Sequence, residues 1–125
     1  METLKELELV LPWPPSANRI YRNVRGRTLL SRVGRTYRQK VIALLKGRDL
    51  PRFNEAIEVH AEFFPPDARR RDLDNYLKIM IDTLQHVGVF QDDSLIGHLD
   101  IFKKEPRRPD GRVVLRIRNV CTESG

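Results

Sequence analysis

The chain has 125 residues, enough for one domain, and a hydrophobic fraction of 40% supports a small core. It carries 23 Lys+Arg against 17 Asp+Glu, for a net charge of +6, a balance that favours polyanionic partners: DNA, RNA or an anionic membrane surface. No stretch approaches the ~20 apolar residues of a spanning helix, residues 1–8 have no apolar block of the secretory kind, and the lone Cys121 cannot form an internal disulfide, so the expected setting is reduced and cytoplasmic, with no membrane.

Leu7, Leu9 and Leu11 alternate with Glu6, Glu8 and Val10, the period of a half-buried strand, which Pro12, Pro14 and Pro15 end. Residues 12–28 read as a loop or ribbon rich in Arg and Asn, with a turn signal at Gly26. Val33, Tyr37, Val41, Leu44 and Leu45 recur at helical spacing and predict a helix over about 32–46, closed by Gly47. Ile57, Val59, Ala61 and Phe63 alternate with Glu58, His60 and Glu62 in a second strand, stopped by Pro65 and Pro66. Leu73, Leu77, Met80, Ile81, Leu84 and Val87 predict an amphipathic helix that starts near residues 72–74 and closes at Gly88. A short connection leads to a strand around 95–103, Asp110-Gly111 turns the chain, and Val113, Leu115 and Ile117 mark a last strand. The order β-α-β-α-β-β predicts an α+β (mixed α/β) fold: a single domain over 1–125 with one mixed sheet and two main helices.

The charge is unevenly spread. Ten basic residues and no acidic one lie between Arg19 and Arg48; Arg69, Arg70 and Arg71 form a second block, and Lys103, Lys104, Arg107 and Arg108 a third. Any one block reads as well as a solvated face; three together point to phosphate binding, without distinguishing DNA from RNA.

Between these blocks sit carboxylates. Asp72 and Asp74 flank Leu73, which can turn inward while both acids face out, and Asp92 and Asp93 come after the same helix. Mg²⁺ takes hard oxygen ligands and keeps several waters, so two or three carboxylates and a phosphate oxygen would hold it. Fifteen helical residues span roughly 22 Å, so the helix itself does not carry Asp93 to Asp74. Each residue also has a plainer reading. Asp72 reads as a helix N-cap, Asp82 as a solvent-facing helix residue, and Lys78 as an i,i+4 ion pair with Asp74; the residues alone favour that pair over a cation aimed at phosphate. Trp13 reads as packing rather than as a base-stacking ring. His60, His86 and His98 lack metal-ligand spacing, Cys121 has no paired His for thiol catalysis, and no Gly-rich phosphate loop occurs.

Three segments taken together, Leu-Pro-Trp-Pro-Pro-Ser-Ala-Asn-Arg at 11–19, Arg-Arg-Asp-Leu-Asp-Asn at 70–75 with Lys78, and Phe-Gln-Asp-Asp-Ser at 90–94, resemble the RusA-type Holliday junction resolvases in order and spacing. The resemblance covers about residues 7–120. It implies a homodimeric, Mg²⁺-dependent endonuclease, with Mn²⁺ as a substitute, that makes paired symmetric nicks in four-way DNA junctions during recombination and repair, in a bacterial or phage setting. It further implies that Asp72, Asp74 and Asp93 hold the metal, that Lys78 is catalytic beside them, and that Asn18, Arg19, Arg22, Arg69, Arg70 and Arg71 contact DNA; Asp92 matches a neighbouring family aspartate. At Lys78 the resemblance reverses the plainer reading. Two alternatives stand beside it: a structure-selective metal nuclease acting on flaps or forks, and a basic nucleic-acid-binding protein without activity.

Overall fold

The computed structural model describes residues 4–120. Residues 1–3 of the leader expectation and Cys121 of the thiol expectation lie outside the described residues. The main elements are β1 (Glu6–Pro12), α2 (Arg32–Leu45), β4 (Ile57–Phe64), α3 (Asp74–His86), β5 (Ile96–Lys103) and β6 (Arg112–Asn119), the predicted order. The segment read as a loop or ribbon contains a short helix α1 (Ala17–Ile20) and a hairpin of β2 (Tyr21–Val24) and β3 (Arg27–Leu30). The single sheet expected is thus joined by a small second one.

The main sheet has the order β1-β6-β4-β5. Its first three strands pair antiparallel, whereas β4 and β5 run parallel because α3 crosses over between them. Alternation sets the faces. Leu7, Leu9 and Leu11 of β1, Ile57, Val59, Ala61 and Phe63 of β4, and Val113, Leu115 and Ile117 of β6 are buried on one side. Tyr37 and Val41 of α2 and Ile79, Met80 and Leu84 of α3 pack over them. Each large apolar side chain buried in this way contributes on the order of 1.5–3 kcal/mol relative to exposure. The predicted face of α3 lies on the core, with Met80 and Leu84 buried and Leu73, Leu77, Ile81 and Val87 half-buried against it; Ile79, not expected there, is also fully buried, and Leu44 of α2 is 50% exposed.

The opposite face of the sheet is open, and its charges neutralise one another across the strands. Arg116 pairs with Glu6 and Glu8 at 3.5 and 3.3 Å, Arg118 with Glu58 at 2.7 Å, and Lys104 with Glu62 at 3.3 Å. His98 lies 2.9 Å and His60 3.5 Å from Asp100. The basic residues between Arg19 and Arg48, on α1, the hairpin, α2 and the turn after it, make no ion pair among the described residues. Among the described residues no helix is long and apolar enough to cross a membrane.

Specific contacts fix one end of each long helix. Ser31 caps α2, its hydroxyl accepting from the Gly34 N–H at 3.2 Å. Gly88, at φ +85°, ends α3, with Val89 N–H returning to Leu84 at 3.0 Å and the Arg52 guanidinium donating to the Gly88 carbonyl at 2.8 Å.

Candidate active site

The segment between β4 and α3 is built around Trp13. Its ring meets Phe63 edge-on at 5.7 Å between centroids and Tyr76 at 5.0 Å, and the Arg71 guanidinium lies 5.8 Å over it. Arg71 is tied on its other side to Asp67 at 2.8 Å and to the Asp67 and Arg69 carbonyls at 3.2 and 3.3 Å. Asp67 also accepts the Arg69 N–H at 3.0 Å, an Asx turn. These donors, Arg71 first, hold the Asp67 carboxyl well below the ordinary carboxylate range, and Asp67 in turn raises Arg71. The packing role read for Trp13 is the one it has.

Arg71, expected at the DNA, is turned inward instead, with its side chain only 8% exposed. It stacks on Trp13, and its Nη1 is taken up by Asp67 and the Arg69 carbonyl. Arg69 is 80% exposed and leans on Asp67 at 3.3 Å, and Arg70 is exposed. Asn18 and Arg19 are exposed on α1, which packs on both α2 and α3, and Arg22 is exposed on β2.

The bracing of Arg71 presents Asp72 and Asp74 to solvent on either side of the half-buried Leu73. The N-cap reading of Asp72 does not hold. Leu73 is the flanking residue of α3, no side chain caps it, and the Asn75 and Tyr76 amides bond to the Asp72 and Leu73 carbonyls at 3.2 and 3.0 Å. Neither the Asp72 nor the Asp74 carboxylate has a hydrogen bond or ion pair among the described residues. Asp74 also stands in the first turn of α3, where the helix dipole favours negative charge.

Asp92 and Asp93 divide their work. Asp92 caps a 3-10 turn, Asp93–Leu95, accepting from the Ser94 amide at 3.1 Å and from the Ser94 hydroxyl; both bonds, the hydroxyl first, hold its carboxyl below the ordinary range. That turn is tied to α3 by the Asp93 N–H, which donates to Gln85 Oε1 at 3.1 Å, and it leaves the Asp93 carboxylate exposed and unpaired. Asp74 and Asp93 consequently stand at opposite ends of α3, whose 13 residues span roughly 19 Å. Among the described residues no three His, Cys, Asp or Glu side chains gather closely enough to hold a metal. The chain brings Asp72, Asp74 and Lys78 to the same end of α3, and not Asp93.

Lys78 pairs forward with Asp82 at 3.8 Å rather than back with Asp74, and lies 5.3 Å over the Tyr21 ring. Asp82, read as a solvent-facing residue, is half-buried and accepts from the Tyr21 hydroxyl. Burial first, then Asp82, pushes the Tyr21 phenol up to about 12, against the opposing charge of Arg38. No pattern in the sequence singles out the Tyr21–Asp82 pair. The one available signal is the spacing Asp74, Lys78, Asp82, which sets all three on one face of a helix.

Fold and site together define a class: a small α+β domain that presents hard, unpaired carboxylates on its basic side, the donor chemistry of a metal-dependent enzyme acting on nucleic acid. Residues 12–118 match the family model described as Endodeoxyribonuclease RusA, and the chain belongs to that family. It is 39% identical over 116 residues to the crossover junction endodeoxyribonuclease of Enterobacteria phage 82, covering 92% of this chain and 96% of that one. The proteins of the same name from Shigella sonnei and Escherichia coli are each 38% identical over the same shares.

Proposed function

We propose that this chain is a crossover junction endodeoxyribonuclease that resolves four-way DNA junctions by paired symmetric nicks, working as a homodimer with Mg²⁺. The observation that supports it is the state of Asp72 and Asp74. The fold spends most of its acids on ion pairs and caps, yet leaves these two bare at a helix start on the basic side. Two adjacent anions near DNA phosphates repel the substrate unless a cation lies between them.

The donor set fits the ion. Carboxylate oxygens alone, exposed and with room for water, suit Mg²⁺ better than softer metals. When bound, the metal supplies an activated water and charge stabilisation at the scissile phosphate. Asp72 and Asp74 would hold it from one protomer. Because Asp93 stands at the far end of α3, the third carboxylate would come from Asp93 of the partner subunit, through a two-fold dimer that sets α3 of one protomer antiparallel to that of the other. Lys78, 63% exposed one turn from Asp74, reaches the same phosphate with its positive charge. Asn18, Arg19, Arg22, Arg69 and Arg70 line the approach and bind the backbone of the junction arms. With relatives from a phage and two enterobacteria, the proposed setting is the bacterial cytoplasm.

The test is cleavage of a synthetic four-way junction with mapped nicks. Mg²⁺ or Mn²⁺ should give two symmetric nicks, and Ca²⁺ binding without cleavage. Equal cutting of linear duplex would replace junction resolution with general nuclease activity; preference for flaps or forks would name that substrate instead. No cutting of any DNA would leave a binding protein.

A further inference from the structure

Asp74, Lys78 and Asp82 stand four residues apart along α3, so the ammonium of Lys78 can reach either carboxylate. Local helix chemistry has a preference. An acid on the N-terminal side of a lysine, as Asp74 is, makes the better i,i+4 pair, because both charges then agree with the helix dipole. The structure has the reverse pair, Lys78 with Asp82. Something outside the helix must tip the balance, and two contacts from β2 do so. The Tyr21 ring lies under the Lys78 ammonium, and the Tyr21 hydroxyl donates to the same Asp82 oxygen that Lys78 approaches. A hydroxyl bond fixes Asp82 in place, and the ring face adds attraction for the cation on that side only.

The consequence falls on Asp74. With Lys78 held one turn further along the helix, Asp74 has no ion-pair partner among the described residues. A lysine paired to Asp74 would compete directly with any cation for that carboxylate. We propose that Tyr21 and Asp82 are positioning residues that hold Lys78 off Asp74, so that Asp74 stays open to a divalent cation and the lysine stays available to phosphate. This rests on the reading of Asp74 as a metal ligand. An exposed ammonium–carboxylate pair is weak and screened, so Lys78 leaves Asp82 readily when a phosphate oxygen arrives. Tyr21 also begins β2, the strand that carries the exposed Arg22, which joins the lysine's position to the seating of the arginine hairpin on α3.

The experiment is Mn²⁺ binding to the full-length dimer without DNA, read from loss of the free-ion paramagnetic resonance signal, in a double-mutant cycle. Asp82→Asn keeps an acceptor for Tyr21 but removes the charge that holds Lys78. It should weaken Mn²⁺ binding about two-fold, the scale of a helix i,i+4 ion pair competing for Asp74. Lys78→Met alone should change the affinity little, whereas in the Asp82→Asn background it should restore the wild-type value. That non-additivity is the signature, since a general charge effect or a folding defect does not depend on whether Lys78 is present. Tyr21→Phe keeps the ring and removes the hydroxyl, and should weaken binding in the same direction by less. Additive effects, or wild-type affinity in Asp82→Asn, overturn the proposal. Asp74→Asn separates the two readings: if it too binds like wild type, the metal assignment itself fails, whereas lost binding in Asp74→Asn beside normal binding in Asp82→Asn overturns only the role given to Tyr21 and Asp82.

Discussion

Asp67 and Asp72 are carboxylates on one loop with opposite employments. Asp67 is spent on Arg71 and the Arg69 amide, and Asp72 on nothing within the described residues. A depressed folded-state value has a fixed sign. Asp67 contributes stability that is full above its ordinary value of 3.8 and is lost as pH falls towards the lower folded-state value. Asp67→Asn should therefore lower Tm above about pH 5, and the difference from wild type should shrink steadily as the pH falls below that ordinary value towards the lower folded-state one, measured by calorimetry across the range. A constant Tm difference at all pH values would mean that the lost contact is not ionic. In the sequence, Arg69, Arg70 and Arg71 look alike. What separates them is Trp13, from a loop before the first helix, on which only Arg71 stacks. Side-chain partners so distant along the chain leave no local pattern, which is why Arg71 was expected at the DNA. The bond from Tyr21 to Asp82 was hidden for the same reason, whereas the Lys78–Asp82 pair is local and its spacing was there to be read.

At the scale of elements, periodicity was a good guide wherever one face is buried and the other wet. The strands at 6–12, 57–64 and 112–119 alternate cleanly, and both long helices have the expected ends. The apolar face of α3 is wider than its period suggests, taking in Ile79 beside Met80 and Leu84, and its margins at Leu77 and Ile81 are half-buried because what covers a face depends on how the helix sits on the sheet. The hairpin was legible only as a turn at Gly26, since none of its residues from Arg22 to Leu29 is buried. Asp110-Gly111 was read correctly as a turn, and its glycine has a specific reason. At φ +71° a Cβ on Gly111 would meet the Phe64 carbonyl and the Pro66 nitrogen at 2.8 and 2.7 Å, both backbone atoms that cannot step aside. Because Pro66 begins the segment that leads to Asp67 and Asp72, the turn into β6 and the carboxylate loop support each other. Gly26→Ala, at φ +75° with open space around it, should cost only the left-handed strain of about 1–2 kcal/mol, whereas Gly111→Ala adds the backbone clash to the same strain and should cost more, about 3 kcal/mol, both read from urea unfolding.

At the scale of the molecule, the sequence already implied that α3 separates Asp74 from Asp93; what it left open was whether the chain folds back to rejoin them. It does not. After Asp93 the chain enters β5, parallel to β4 on the outer edge of the sheet, and the 3-10 turn holds Asp93 against Gln85 near the far end of α3. If all three aspartates serve one metal, two chains must meet. A two-fold dimer then yields two equivalent sites, each taking Asp72 and Asp74 from one subunit and Asp93 from the other, matching the two equivalent strands of a four-way junction. Such a shared site behaves differently from a self-contained one when lesions are mixed. Asp74→Asn and Asp93→Asn homodimers should each be inactive, with both sites damaged. In the mixed dimer both lesions fall in one site, and the other is whole. Refolding the two inactive variants together should therefore restore single nicks on the four-way junction, at roughly a quarter of the wild-type rate if half the dimers are mixed and each has one working site. Mapped nicks on one strand per junction are the expected product. An inactive mixture, with mixed dimers shown to form by mass spectrometry, would place all three carboxylates of a working site on one chain.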